Sequence, residues 1–246
     1  MAYPFRTAAL VFTAMFATSA FADALGEVRT ALQRMTASEP LHAVVQLDRS
    51  RHSHGRFLND DFDGSVMFEV DEDANGIRVS YSRSLLQRAT NEDWAKEINP
   101  ARGAGTRDAL SEAQPRSIET AVDAAGMVLH LVNRGHIVEQ KIETVQGRPE
   151  RMLLFHLPAT DGAEPGVSTT ADNFTLWIGA DGLPVAAKRE RKGSAGVLFI
   201  HVNTVRTETW TFAARGDHLV AMRFDDRSTV DGPGQHGDAH STWSVR

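Results

Sequence analysis

Three groupings of side chains have types and spacings that could do chemistry. His52-Ser53-His54 would place both imidazoles on the same side of an extended strand. His236-Gly237-Asp238-Ala239-His240 offers two more imidazoles with a carboxylate between them. Imidazole with carboxylate suits zinc, copper or nickel. The first pair lies in an Arg/Ser/Gly-rich stretch, however, and the second follows the glycine-rich connection Asp231 to Gly237. No spacing rule brings the two together, so exposed histidines are the plainer reading and no metal ligand is assigned. Asp71-Glu72-Asp73-Ala74-Asn75-Gly76 matches the first half of a calcium loop. The position that should carry the bidentate glutamate is Ser82, and the flanks read as strands. A solvated hairpin turn is expected there.

Other chemistries lack their residues. The 246-residue chain has no cysteine, which excludes a disulfide scaffold, a thiolate metal site, a cysteine nucleophile and an N-terminal lipid on cysteine. There is no G-x-S-x-G elbow, no H-E-x-x-H and no P-loop. Serines, histidines and aspartates are numerous enough to meet in space, a point that one sequence leaves open, but no catalytic residue is named and no enzyme is expected. Twenty-six basic against 32 acidic residues leave a net charge of −6, which argues against binding to a nucleic-acid backbone. No cofactor is implied.

The elements that must position any site read as follows. Arg6, the apolar run Thr7 to Ala22 and its ending Ser19-Ala20-Phe21-Ala22 have the layout of a cleaved signal peptide, residues 1–22. Residues 23–246 are then expected to be exported, to the periplasm, with no transmembrane anchor after cleavage. Leu25, Val28, Leu32 and Met35 recur at helical spacing and predict an N-terminal helix, ended by Ser38-Glu39-Pro40. From Leu41 the period changes to that of strands, with a turn at Asn75-Gly76. Residues 84–135 are a helical insertion. One patch runs from Leu85 to about Glu97, and a stronger stripe comprises Ile118, Val122, Ala125, Leu129 and Val132. From His136 onward the chain is strand and tight turn. Short turns make antiparallel neighbours, so the expected fold is a single α+β domain with a curved antiparallel sheet of about nine strands. Its helices are expected to pack on the concave side.

Phe174-Thr175-Leu176-Trp177-Ile178-Gly179-Ala180-Asp181-Gly182-Leu183-Pro184-Val185 combines a tryptophan strand with an Asp-Gly-Leu-Pro turn. With the helix-then-strands order before it, this segment resembles the Lol-type periplasmic lipoprotein carriers and the related sensor domain of an envelope-stress regulator. The resemblance implies an open half-barrel whose hollow holds acyl chains. Phe174, Leu176 and Ile178 share one strand face, with Trp177 on the other. These four residues and Met222 are the candidate ligand-binding residues. The expected function is a periplasmic, non-enzymatic carrier or binding protein for an apolar moiety such as an acyl chain or lipoprotein. The alternatives are an envelope adaptor or stress sensor that docks a protein partner through segment 84–135, and a metal-binding protein using His52, His54, His236 and His240.

Overall fold

The computed structural model describes residues 24–55, 60–99, 102–159, 167–197 and 200–246. The expected signal peptide, residues 1–22, lies outside them. The first helix, α1 (residues 24–33), buries Ala24, Val28, Ala31 and Leu32, which is the stripe its 3.6-residue spacing dictates. Three strands follow: β1 (Leu41–Gly55), β2 (Asp60–Asp73) and β3 (Gly76–Ser80). Four helices come next, α2 (Arg83–Ile98), α3 (Gly105–Glu112), α4 (Pro115–Val122) and α5 (Ala125–Arg134). The chain then returns to strands with β4 (His136–Val145), β5 (Arg148–His156), β6 (Val167–Ile178) and β7 (Pro184–Val197). It ends with β8 (Ile200–Arg215), β9 (His218–Gly232) and β10 (Gln235–Val245).

All ten strands form one antiparallel sheet in the order β3-β2-β1-β10-β9-β8-β7-β6-β5-β4. The sheet is open, with β3 and β4 at its edges. The first strand of the chain pairs with the last near one third of the way across, and the helices α2 to α5 connect one edge strand to the other. The α+β class and the antiparallel sheet expected from short turns are therefore observed, with ten strands among the described residues where about nine were expected. The Asp231 to Gly237 connection is itself a tight hairpin: β9 runs to Gly232, which pairs with Gln235, and Gly234 takes φ of 71°. The turn between β4 and β5 has positive φ at both Gln146 and Gly147, the geometry that matches the twist of a two-residue hairpin.

The stripe from Ile118 to Val132 is not one helix. It breaks at Asp123-Ala124 because the Ala124 N–H donates to the Leu219 carbonyl of β9, 2.8 Å away, instead of continuing the helical ladder. Two buried clusters cover one face of the sheet. Helices α1 and α5 pack with β5 to β9 around Phe155, Phe174 and Leu176. Leu85 of α2, Ala109 of α3 and Ile118 and Val122 of α4 pack with β1, β2 and β10 around Leu47, Phe68 and Trp243. No helix among the described residues is long and apolar enough to cross a membrane.

Candidate functional site

Cross-strand register aligns the helix-covered face into rows. One row is apolar from β5 to β2. Leu153 faces Leu176, Leu176 faces Ala187, and Ala187 faces Trp210. Trp210 faces Phe224, Phe224 faces Trp243, Trp243 faces Leu47, and Leu47 faces Val66. Eight adjacent strands thus contribute one apolar side chain each. All are buried except Phe224, which is partly so, and its ring stacks on Trp210 at 5.2 Å.

Two residues further along, the same face becomes charged on β7, β8 and β9. Phe174 faces Arg189, Arg189 faces Glu208, and Glu208 faces Asp226. Arg189 grips Asp172 through two hydrogen bonds of 2.8 and 2.6 Å, and the Asp172 side chain is fully buried. Arg206 grips Asp226 in the same way, at 2.9 and 2.7 Å. Glu208 accepts from Arg191 at 3.1 Å and lies 3.4 Å from Arg206. Removing such charges from water is tolerable only because each is paired with good geometry. Sequence reading missed this row. Its signal was the phase of Arg189 and Arg191, which alternate with Ala187 on the same side of β7.

The candidate ligand-binding residues divide between surroundings. Phe174, Leu176 and Ile178 are at most 1% exposed and lie under α1 and α5. Trp177 is on the opposite face, half-buried between its neighbours Met152 and Ala186, and its indole N–H donates to Glu143 at 2.9 Å. That bond is the first cause holding the Glu143 carboxyl below its usual range, with Lys141 second. Met222 sits where the β8–β9 register shifts, so it has no partner on β8, and it packs against the second cluster. The turn after the tryptophan strand is as expected. Gly182 has φ of 83°, Leu183 N–H donates to the Asp181 carboxylate at 3.0 Å, and Pro184 opens β7.

Pairing of β1 with β10 brings the two histidine groups together on the face away from the helices. His54 lies opposite His236, His52 opposite Asp238, and Ser50 opposite His240. His52, His236 and His240 are each drawn to a carboxylate. His52 bonds Asp61, the main reason its pKa is raised, and His240 lies 2.9 Å from Asp225. His236 is 3.6 Å from Asp231. Among the described residues no group of three histidines or carboxylates is arranged to hold a metal ion. The half-match to a calcium loop is a hairpin turn, where the Asp73 carboxylate accepts from Asn75 N–H and Arg78, both at 2.7 Å. Beside the histidines, Asp48, Ser50, Asp63, Ser65, His240 and Thr242 line an open polar groove of about 420 Å³.

Compared with known proteins, the chain matches no family model, no curated protein and no solved structure.

Proposed function

We propose that the protein is an exported, periplasmic, non-enzymatic carrier for an amphiphile with an acyl chain. The apolar row across eight strands carries this reading. A row of that width is wider than a helix about 10 Å across can cover, and the cover over it is divided among short segments. Helices α3, α4 and α5 have 8, 8 and 10 residues, and none has a side-chain N-cap bond. Helices this short draw most of their stability from packing. In this reading the sheet curls into an open half-barrel with the helices on its concave side. They are the resting occupants of the apolar row, and they yield when an acyl chain enters along Leu176, Trp210 and Trp243. The charged row beside it receives the polar head. Transfer of the chain from water contributes roughly 0.8 kcal/mol per buried methylene.

The test is extraction of protein purified from its native compartment, followed by lipid mass spectrometry, with a fatty-acid titration read by tryptophan fluorescence. A co-purifying acyl lipid and a saturable change in emission are expected. Absence of both would overturn the carrier reading. It would leave the second one, a docking scaffold for an envelope protein, which draws on the complete burial of Phe174, Leu176 and Ile178.

A further inference from the structure

The helix α2 contributes little to the core. Of its sixteen residues only Leu85 and Ala89 are buried, while Leu86, Trp94 and Ile98 are 47%, 62% and 86% exposed. An indole or a sec-butyl group left this far in water is unfavourable, and Trp94 and Ile98, four residues apart, lie on the same side of α2, with Leu86 on another. Trp94 is also the most exposed tryptophan of the protein: Trp210 and Trp243 are nearly fully buried and Trp177 is half-buried.

The charges of α2 are segregated. At 3.6 residues per turn, Arg83, Ser84, Gln87, Arg88, Asn91, Trp94, Ala95 and Ile98 share less than half of the helix circumference. That sector contains no carboxylate. Glu92, Asp93 and Glu97 lie on the remainder. Two of these are engaged elsewhere: Glu92 accepts from the Thr106 and Arg107 N–H groups at the start of α3, at 2.8 and 3.2 Å, and Asp93 lies 3.4 Å from the Arg107 guanidinium. Arg102, in the loop after α2, joins Ser84, Gln87, Arg88, Asn91 and Ala95 around an open groove of about 370 Å³, whose one carboxylate, Glu92, is the group already bonded to the Thr106 and Arg107 N–H groups. Among the described residues neither Arg88 nor Arg102 forms a salt bridge. Two unpaired guanidinium groups, three neutral polar side chains and an adjoining Trp94–Ile98 pair complement one kind of surface. Guanidinium groups bind phosphate oxygens in a bidentate fork. Tryptophan sits at the boundary between headgroups and acyl chains, with an aliphatic side chain reaching beyond it.

We infer that the outward face of α2, with Arg102, docks the protein on an anionic phospholipid membrane, Arg88 and Arg102 binding headgroup phosphates while Trp94 and Ile98 enter the interface. This surface is distinct from the apolar row under the helices. The net charge of −6 repels the rest of the molecule from such a membrane, so contact is confined to this face and weakens as salt screens the arginines.

The test uses the purified protein with phosphatidylcholine vesicles made with and without phosphatidylglycerol. Co-sedimentation and a blue shift of Trp94 emission are expected only with phosphatidylglycerol present. Arg88→Glu with Arg102→Glu, and separately Trp94→Ser with Ile98→Ser, should each weaken binding roughly tenfold or more, with unchanged circular dichroism. Arg148→Glu, on the β4–β5 hairpin, should leave binding as it is. Equal binding to both vesicle types, no binding to either, or binding that survives both double substitutions would overturn the inference. So would capture of an oligoglutamate peptide by protein that ignores the vesicles, since that would make the surface a protein-docking site. Vesicle binding by protein that carries no extractable lipid would leave this inference standing while the carrier reading fell.

Discussion

His218 is 1% exposed, and the groups around it are acidic. Its Nε2 lies 2.6 Å from the Glu39 carbonyl and so carries the proton that donates there. Its Nδ1 lies 3.5 Å from a Glu72 carboxylate oxygen, close enough for an ion pair but without a hydrogen bond. Burial pushes the Glu72 and Asp123 carboxyls up, with His218 opposing the rise in both. Asp217, next in the chain, is the reverse case. Its carboxylate accepts from the Ser38 and Thr36 hydroxyls and from the Ser38 and Glu39 N–H groups, at 2.6 to 3.1 Å, and is held far below the usual range. The signs follow from linkage. Glu72 and Asp123 contribute stability that is complete below the ordinary carboxylate range and is lost as pH rises through their raised values. Asp217 contributes stability that is present above that range and lost as pH falls below it. Stability should therefore peak at mildly acid pH. Denaturant midpoints across pH should show Glu72→Gln raising the midpoint at neutral pH and flattening the neutral-to-acid rise. Asp217→Asn should lower the midpoint at neutral pH and flatten the fall in acid. An unchanged profile in both variants would refute this account.

At the scale of elements, α3 is held to the sheet by backbone against backbone. A Cβ on Gly64 of β2 would lie 1.9 Å from the Gly105 carbonyl oxygen, and one on Gly105 would lie 1.9 Å from that of Asp63. Neither oxygen is on a flexible side chain, so the helix would have to lift. Gly64→Ala and Gly105→Ala should each cost about 1–3 kcal/mol or more, read from denaturant midpoints. Gly103→Ala meets open space and should be nearly neutral. Glycines at 103 and 105, soon after the helical patch that ends near Glu97, are legible in the sequence as a break in the helix. That only Gly105 touches a strand is not, because the contact spans some forty residues of chain. For the same reason the split between α4 and α5 was hidden: the Leu219 carbonyl that causes it lies on β9, far away in sequence.

For the whole molecule, the pairing of β1 with β10 ties the first and the last of the described strands into the interior of the sheet, and Val44 and Arg246 exchange both backbone hydrogen bonds, at 3.0 and 2.9 Å. Interior strands bonded on both sides and packed beneath helices open only with the global unfolding of the domain, whereas short helices open locally. Native-state hydrogen exchange should accordingly show the slowest amides in the overlapping centres of β1, β10, β9 and β8. Amides of α3 and α4 should exchange at least about tenfold faster, a difference of roughly 1.4 kcal/mol in opening free energy. Equal protection across helices and strands would mean that the cover is an integral part of the core, and would weigh against a face that opens to ligand.

What the sequence determined by itself was local. Alternation marked the strands, and Asn-Gly, Gln-Gly, Asp-Gly and Gly-Asp pairs marked the turns between them. A 3.6-residue spacing marked α1, because each of these is decided by dihedral preferences and side-chain direction within a few residues. The opposite faces of Trp177 and Leu176 were readable in the same way. The tertiary structure decided what those faces meet. Placing β10 beside β1 set His54 opposite His236 and carried the apolar row from Trp243 to Leu47. No local preference encodes that pairing. It is selected by the summed burial of side chains about two hundred residues apart, and shifting the register by one residue would turn every one of them to the other side of the sheet.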